Sequence, residues 1–114
     1  MIDASFIHKK LEFLLQHLEV LEEYRDSSLE DLKEKPKDLK YVEKIIQELV
    51  DCAIDINQFI LESIVSAKAW SSKQSFWDLE NKVLQPKEMG FGKKDLKIFL
   101  DSVSFRNEVV HSYL

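Results

Sequence analysis

YVEKIIQELVDCAIDINQFILE, residues Tyr41 to Glu62, is the most periodic part of the chain. Leu39, Val42, Ile46, Leu49, Ala53, Ile56 and Ile60 recur at spacings of three and four, and Ile45, Cys52 and Phe59 widen the stripe. That period belongs to an α-helix, and a stripe this broad belongs to a central helix that touches several neighbours. The pattern predicts a helix from near Asp38 to Ile64 or Val65, roughly 40 Å long at about 1.5 Å per residue.

On the N-terminal side, Ile7, Leu11, Leu14, Leu18 and Leu21 form a second stripe, with Leu15, Leu29 and Leu32 beside or beyond it. One amphipathic helix is expected from about Ser5 to Lys33, capped by Asp3 or Ser5, its seam facing other helices. Pro36 ends it, since proline disfavours helical geometry at Lys35. On the C-terminal side a serine-rich connection carries Trp70. A short helix is then expected in SFWDLENKVL, with Phe76, Leu79 and Val83 inward and Ser75 or Ser72 as cap. QPKEMGFG is a break holding one of the two prolines and both glycines. The last helix is predicted from near Lys93, with Leu96, Phe99, Leu100 and Val103 on its apolar side.

The 114 residues make one domain, 1–114, with room for a single core. With 45% hydrophobic and 32% charged residues, the composition suits a folded chain. Two glycines and two prolines leave little material for an all-β fold. The expected fold is all-α, an antiparallel bundle of four or five helices. So small a core stabilises only marginally, and a dimer is expected to bury what remains of the apolar faces.

The single cysteine, Cys52, excludes an internal disulfide and reads as a small core residue in a reducing compartment. The N-terminus has no uninterrupted apolar run of a signal peptide, and no segment reaches the roughly 18 apolar residues of a membrane span. A cytoplasmic protein without a membrane partner is expected. The net charge of −5 counts against non-specific nucleic-acid binding. Lysines gather at Lys33, Lys35, Lys37 and Lys40, and at Lys87, Lys93, Lys94 and Lys97. Carboxylates interleave both groups, as on a solvated surface.

The carboxyl end reads SFRNEVVHSYL, with Arg106, His111 and Tyr113 in close succession. Each alone has an ordinary reading: a histidine complementing a helix dipole, a snorkelling arginine, a core tyrosine with a wet hydroxyl. His8 and His17 keep such a reading. Together the three suit metal-free RNA cleavage. Attack by a 2′-hydroxyl needs a base and an acid near neutral pKa, and positive charge on the phosphorane-like transition state. Histidine titrates in that range, and the arginine fork holds phosphate oxygens without losing its charge. No His/Asp/Glu cluster has the spacing of a metal site. A regular helix sets His111 about 140° round from Arg106, so either the helix loosens at Asn107 or a second subunit completes the site.

FRNEVVHSY matches the R-x-x-x-x-H-x-Y signature of HepT-type toxins in the HEPN superfamily, and the chain resembles that family. Residues 41–62, with their AIDI core, look like the family's long second helix. The order of short helix, glycine-containing turn and motif helix in residues 75–113 is similar too. The resemblance implies a helical bundle that dimerises around a shared cleft. It implies a metal-independent endoribonuclease of a type II-like toxin–antitoxin pair. Its partner would be an MntA-like nucleotidyltransferase antitoxin that transfers AMP to a tyrosine. On this sequence Arg106 and His111 become the catalytic pair, Asn107 the residue that orders the site, and Tyr113 the AMP acceptor. No cofactor is implied. The acidic net charge motivates a different expectation, a non-catalytic helical module that binds a nucleotide or serves a nucleotidyltransferase partner. Family members continue past the tyrosine, and a carboxylate at Leu114 would be expected to favour protonated His111.

Overall fold

The structure is a computed structural model that describes residues 4–112, with side chains for residues 4–109. Helix α1 spans Ala4–Glu22, α2 Leu29–Lys33, α3 Pro36–Val65, α4 Ser72–Asp78 and α5 Lys93–Ser112. A π-helical turn, Leu79–Leu84, and a 3-10 turn, Gln85–Lys87, extend α4. No strand occurs among the described residues. The all-α bundle read from the sequence is therefore the fold, with five helices. Its expected antiparallel order is corrected for α4, which runs in the same sense as α3 because the chain first folds back along α3.

The 30 residues of α3 form its axis, about 45 Å long at about 1.5 Å per residue. It begins at Pro36, two residues before the predicted start, because proline's fixed φ and missing N–H cost nothing in a first turn. It stops at Ser66, which adopts the left-handed conformation (φ 63°). The radius of gyration is 15.5 Å, above the roughly 13 Å of a compact domain this size. One long helix with shorter partners along its sides accounts for the elongation.

Helix α1 runs antiparallel to α3, as the pairs Phe6–Phe59, Lys10–Asp55 and His17–Glu48 show. Among the described residues its main packing partner is α3, and it contains no fully buried residue. The sequence reading sets its seam facing other helices. Instead Ile7, Leu14 and Leu21 are half-buried while Leu11, Leu15 and Leu18 are exposed. The continuous helix expected to Lys33 is also corrected. Turns follow Glu22, and Ser28 starts α2 with a reciprocal capping box, accepting from Asp31 N–H while the Asp31 carboxylate accepts from its own N–H.

After α3 the chain folds back along it before α4 begins. The Ala69 N–H donates to Gln58 Oε1 at 2.7 Å, and Gln58 Nε2 donates to the Ala69 carbonyl at 3.1 Å. Ser71, rather than Ser72 or Ser75, caps α4 and accepts from Gln74 N–H. Ser75 is instead buried, accepting from Asn57 Nδ2 at 3.2 Å. With Leu61 packed near Leu79 and Val83, α4 and its π-helical extension run alongside α3 in the same sense. Helix α5 then returns antiparallel, stacking Phe99 on Phe76.

Two apolar clusters hold these elements. Val50, Ile54, Phe76, Leu96 and Val103 bind α3, α4 and α5 together. Leu61, Leu79 and Val83 form the second, with Phe91 packed against them. Between them Glu80 is buried to 1% exposure. Its carboxylate accepts from the N–H groups of Phe91 (2.6 Å) and Gly92 (3.3 Å) and from Gln85 Nε2 (3.3 Å). Burial pushes the Glu80 carboxyl up, but these donors outweigh it and set it below the ordinary range. The glycine loop is thereby fastened beneath α5.

Candidate active site

Helix α5 remains helical through Asn107 to Ser112, so of the two alternatives read from the sequence, loosening at Asn107 does not occur. Position 111 consequently lies about 140° round the axis from position 106. The backbone of His111 belongs to α5, its side chain lies outside the described residues, and so does Tyr113. Asn107 is exposed.

Arg106 is the described member of the motif, and its surroundings are specific. Its side chain is 19% exposed and set between α3 and α4. Nη2 donates to Ser72 Oγ at 2.9 Å. Nε lies 3.0 Å from Asp51 Oδ1, an ion pair by distance, yet it has no hydrogen-bond partner among the described residues. Distance and alignment disagree here, and alignment decides the donor's state: Nε is drawn to Asp51 by charge without being satisfied by it. The fork is planar and carries five N–H donors. One of these donors is bonded to Ser72, and Nε is buried without an aligned acceptor.

Asp51 opens toward a small groove of about 160 Å³ lined by Lys10, Phe13, Glu48, Cys52 and Asp55. Burial pushes the Asp51 carboxyl above its ordinary range. The Arg106 charge opposes that rise, and Asp55 and Glu48 add to it. The guanidinium thus sits at the edge of an acidic strip on α3. The Cys52 thiol is buried against α1, donating to the Lys10 carbonyl at 3.3 Å. Burial raises its pKa, with Lys10 opposing and Asp55 adding, so it is the inert core residue read from the sequence. His17 is less isolated than the sequence implied: it stacks on Phe13, and its Nε2 lies 2.5 Å from Glu48 Oε2.

Sequence reading missed Ser72 as a partner of Arg106, and missed Asp51 entirely. Both lie far along the chain, Ser72 by 34 residues, and no local pattern links them to the motif. No group of three metal-ligating side chains occurs among the described residues. No helix among them is long and apolar enough to cross a membrane.

No family model matches the chain, and no solved structure gives a significant match. Among curated proteins it is similar to the tRNA nuclease HepT of Aphanizomenon flos-aquae (strain 2012/KM1/D3), with 27% identity over 112 residues. That alignment covers 98% of this chain and 72% of the cyanobacterial protein. An all-α bundle around a long central helix, Arg106 and position 111 of the motif on its final helix, and similarity over nearly the whole of this chain agree: the chain resembles HepT-like members of the HEPN superfamily.

Proposed function

We propose that the protein is an endoribonuclease toxin acting on RNA of the transfer-RNA class, without a metal ion. The observation that carries this reading is similarity to a tRNA nuclease over 98% of this chain, which itself holds Arg106, His111 and Tyr113 at R-x-x-x-x-H-x-Y spacing. In the proposed reaction His111 removes the proton from a 2′-hydroxyl. The oxygen attacks the adjacent phosphorus, and the 5′-oxygen leaves with a proton supplied by a second group. The Arg106 fork neutralises the charge that builds on the non-bridging oxygens.

The 140° offset of positions 106 and 111 supports a site completed by a second copy of the chain. Two histidines related by a two-fold axis then serve as base and acid. The exposed Leu11, Leu15 and Leu18 of α1 supply unburied apolar surface for such pairing. Asn107, exposed beside Arg106, orders the site in this arrangement. Tyr113 accepts AMP from a nucleotidyltransferase antitoxin, which silences the enzyme in the cytoplasm. The bulk and charge of AMP two residues from His111 would exclude RNA.

The test is cleavage of total tRNA by the purified protein in excess EDTA, with Arg106→Ala and His111→Ala beside it. Cleavage by the parent and its loss in both variants is the expected result. Cleavage that survives His111→Ala, or that vanishes in EDTA and returns with a divalent ion, overturns the mechanism.

A further inference from the structure

The chain contains two tryptophans, Trp70 and Trp77, and both are on the surface. Trp70 is 100% exposed and Trp77 49%. A fully solvated indole is unusual, because so large an apolar ring ordinarily finds a place to pack. Nothing about its backbone is loose. Gln58 clamps Ala69 from both sides of its peptide, and Ser71 on the other side caps α4. The ring therefore stands on a fixed pedestal.

Its neighbourhood is polar and cationic rather than apolar. From Ser63 to Trp77 the chain has no carboxylate, the longest such stretch in an acidic sequence, and it includes Lys73 and Lys68, the latter paired with Glu62 at 3.5 Å. Lys73 and Trp77 lie four residues apart on one face of α4, and Lys73 has no ion-pair partner among the described residues. Ser72, which holds Arg106, is two Cα steps from Trp70, about 7 Å at most. A protein-binding tryptophan is commonly ringed by other apolar anchors in a packed patch. Exposed aromatic faces interspersed with cations and hydroxyls are instead what unpaired bases and their phosphates require.

We infer that Trp70, Lys73 and Trp77 form a stacking platform for single-stranded RNA, which leads the strand to Arg106. The choice of RNA as occupant rests on the nuclease reading above. Two bases stack on the two indoles, Lys73 meets the phosphate between them, and the next phosphate reaches the guanidinium. The platform selects unpaired strands, because bases inside a duplex have no free face to offer. It carries no base-specific contact of its own.

The indoles are the only tryptophans, so they report directly. A short mixed-sequence single-stranded oligoribonucleotide is titrated into the full chain carrying His111→Ala, and intrinsic fluorescence is followed. Trp70→Phe and Trp77→Phe separate the two signals while keeping an aromatic face. Quenching by the single strand, and little by the same sequence as duplex, is expected. Trp70→Ala should weaken binding about tenfold, and Trp70→Phe far less. Its full exposure means that either change leaves the melting temperature where it was. Quenching and tenfold loss without cleavage by the His111 parent would sink the nuclease and leave the platform standing. Cleavage with unchanged affinity in Trp70→Ala and Trp77→Ala overturns the platform and leaves the nuclease. A change of molecular mass in solution in those variants, with RNA affinity intact, assigns the surface to a protein partner and also overturns it.

Discussion

Asp51 Oδ1 lies 3.0 Å from Arg106 Nε without aligning as its acceptor, so a carboxylate of α3 holds the motif arginine by charge alone. In the proposed reaction the pairing sits where the scissile phosphate would bind. A polyanion approaching the fork meets the negative strip of Glu48, Asp51 and Asp55 at the same time as the positive group it needs.

Asp51→Asn should therefore strengthen RNA binding. The amide keeps an oxygen near Nε while removing the charge that competes with phosphate. The sign for stability follows from the raised Asp51 pKa. Ionisation of this carboxyl costs folding free energy, a cost absent below the ordinary aspartate value near pH 3.9 and incurred as pH rises through the folded value. The variant should melt no lower than the parent at neutral pH, with KM for RNA reduced several-fold. An unchanged KM with a lower kcat would instead mark Asp51 as the group that orients the fork.

Arg106→Lys keeps the charge and loses the fork. An ammonium cannot bond Ser72 and two phosphate oxygens in one plane. A fall of about a hundredfold in kcat is expected, the scale seen when one transition-state donor is removed, with the circular dichroism of the parent. Ser72→Ala leaves the guanidinium free to wander and should give a smaller loss, again without unfolding.

Much of this frame was legible in one dimension because it rests on period and breakers. The extents of α3 and α5 followed from the apolar stripe, Pro36 and the glycine loop. The gap between α1 and α2 was missed although Ser28 and Asp31 stand at capping-box spacing, because Leu29 and Leu32 seemed to prolong the stripe. Exposure of Leu11, Leu15 and Leu18 was illegible. An apolar stripe says that a face seeks cover, and among the described residues it is mainly α3 that packs against it. The partners of Arg106 were hidden for a related reason: the return along Gln58 and Ala69 sets the level of Ser72, and that is a tertiary choice.

Ser75→Ala probes the seam between α3 and α4. The Ser75 hydroxyl donates to the Ser72 carbonyl at 2.6 Å and accepts from Asn57 Nδ2, with both residues buried. Removing it strands the Asn57 amide, at a cost of about 1–3 kcal/mol. Urea unfolding should show that loss as a lower midpoint with an unchanged slope. The double change Asn57→Val with Ser75→Ala should recover part of it, since two apolar groups leave nothing unpaired.

Glu80 should govern the acid limb of stability. Its folded pKa lies below the ordinary value, so the stabilisation is present above about pH 4.3 and is lost as pH falls through the folded value. Glu80→Gln still offers one oxygen to the loop but sets an amide N–H against the second backbone donor. A melting temperature several degrees lower at neutral pH is expected, with a shallower decline below about pH 4.3 than in the parent. Gly90→Ala tests the same contact from the other side. A Cβ at that position would sit 2.4 Å from Glu80 Oε1 and 2.9 Å from Gln85 Cγ, so the carboxylate must move and release the N–H groups of Phe91 and Gly92. Both substitutions should then give similarly shallow acid limbs, and the double variant should lose little beyond either one. Fully additive losses in melts across about pH 3 to 7 would mean that the loop is held by something other than this carboxylate.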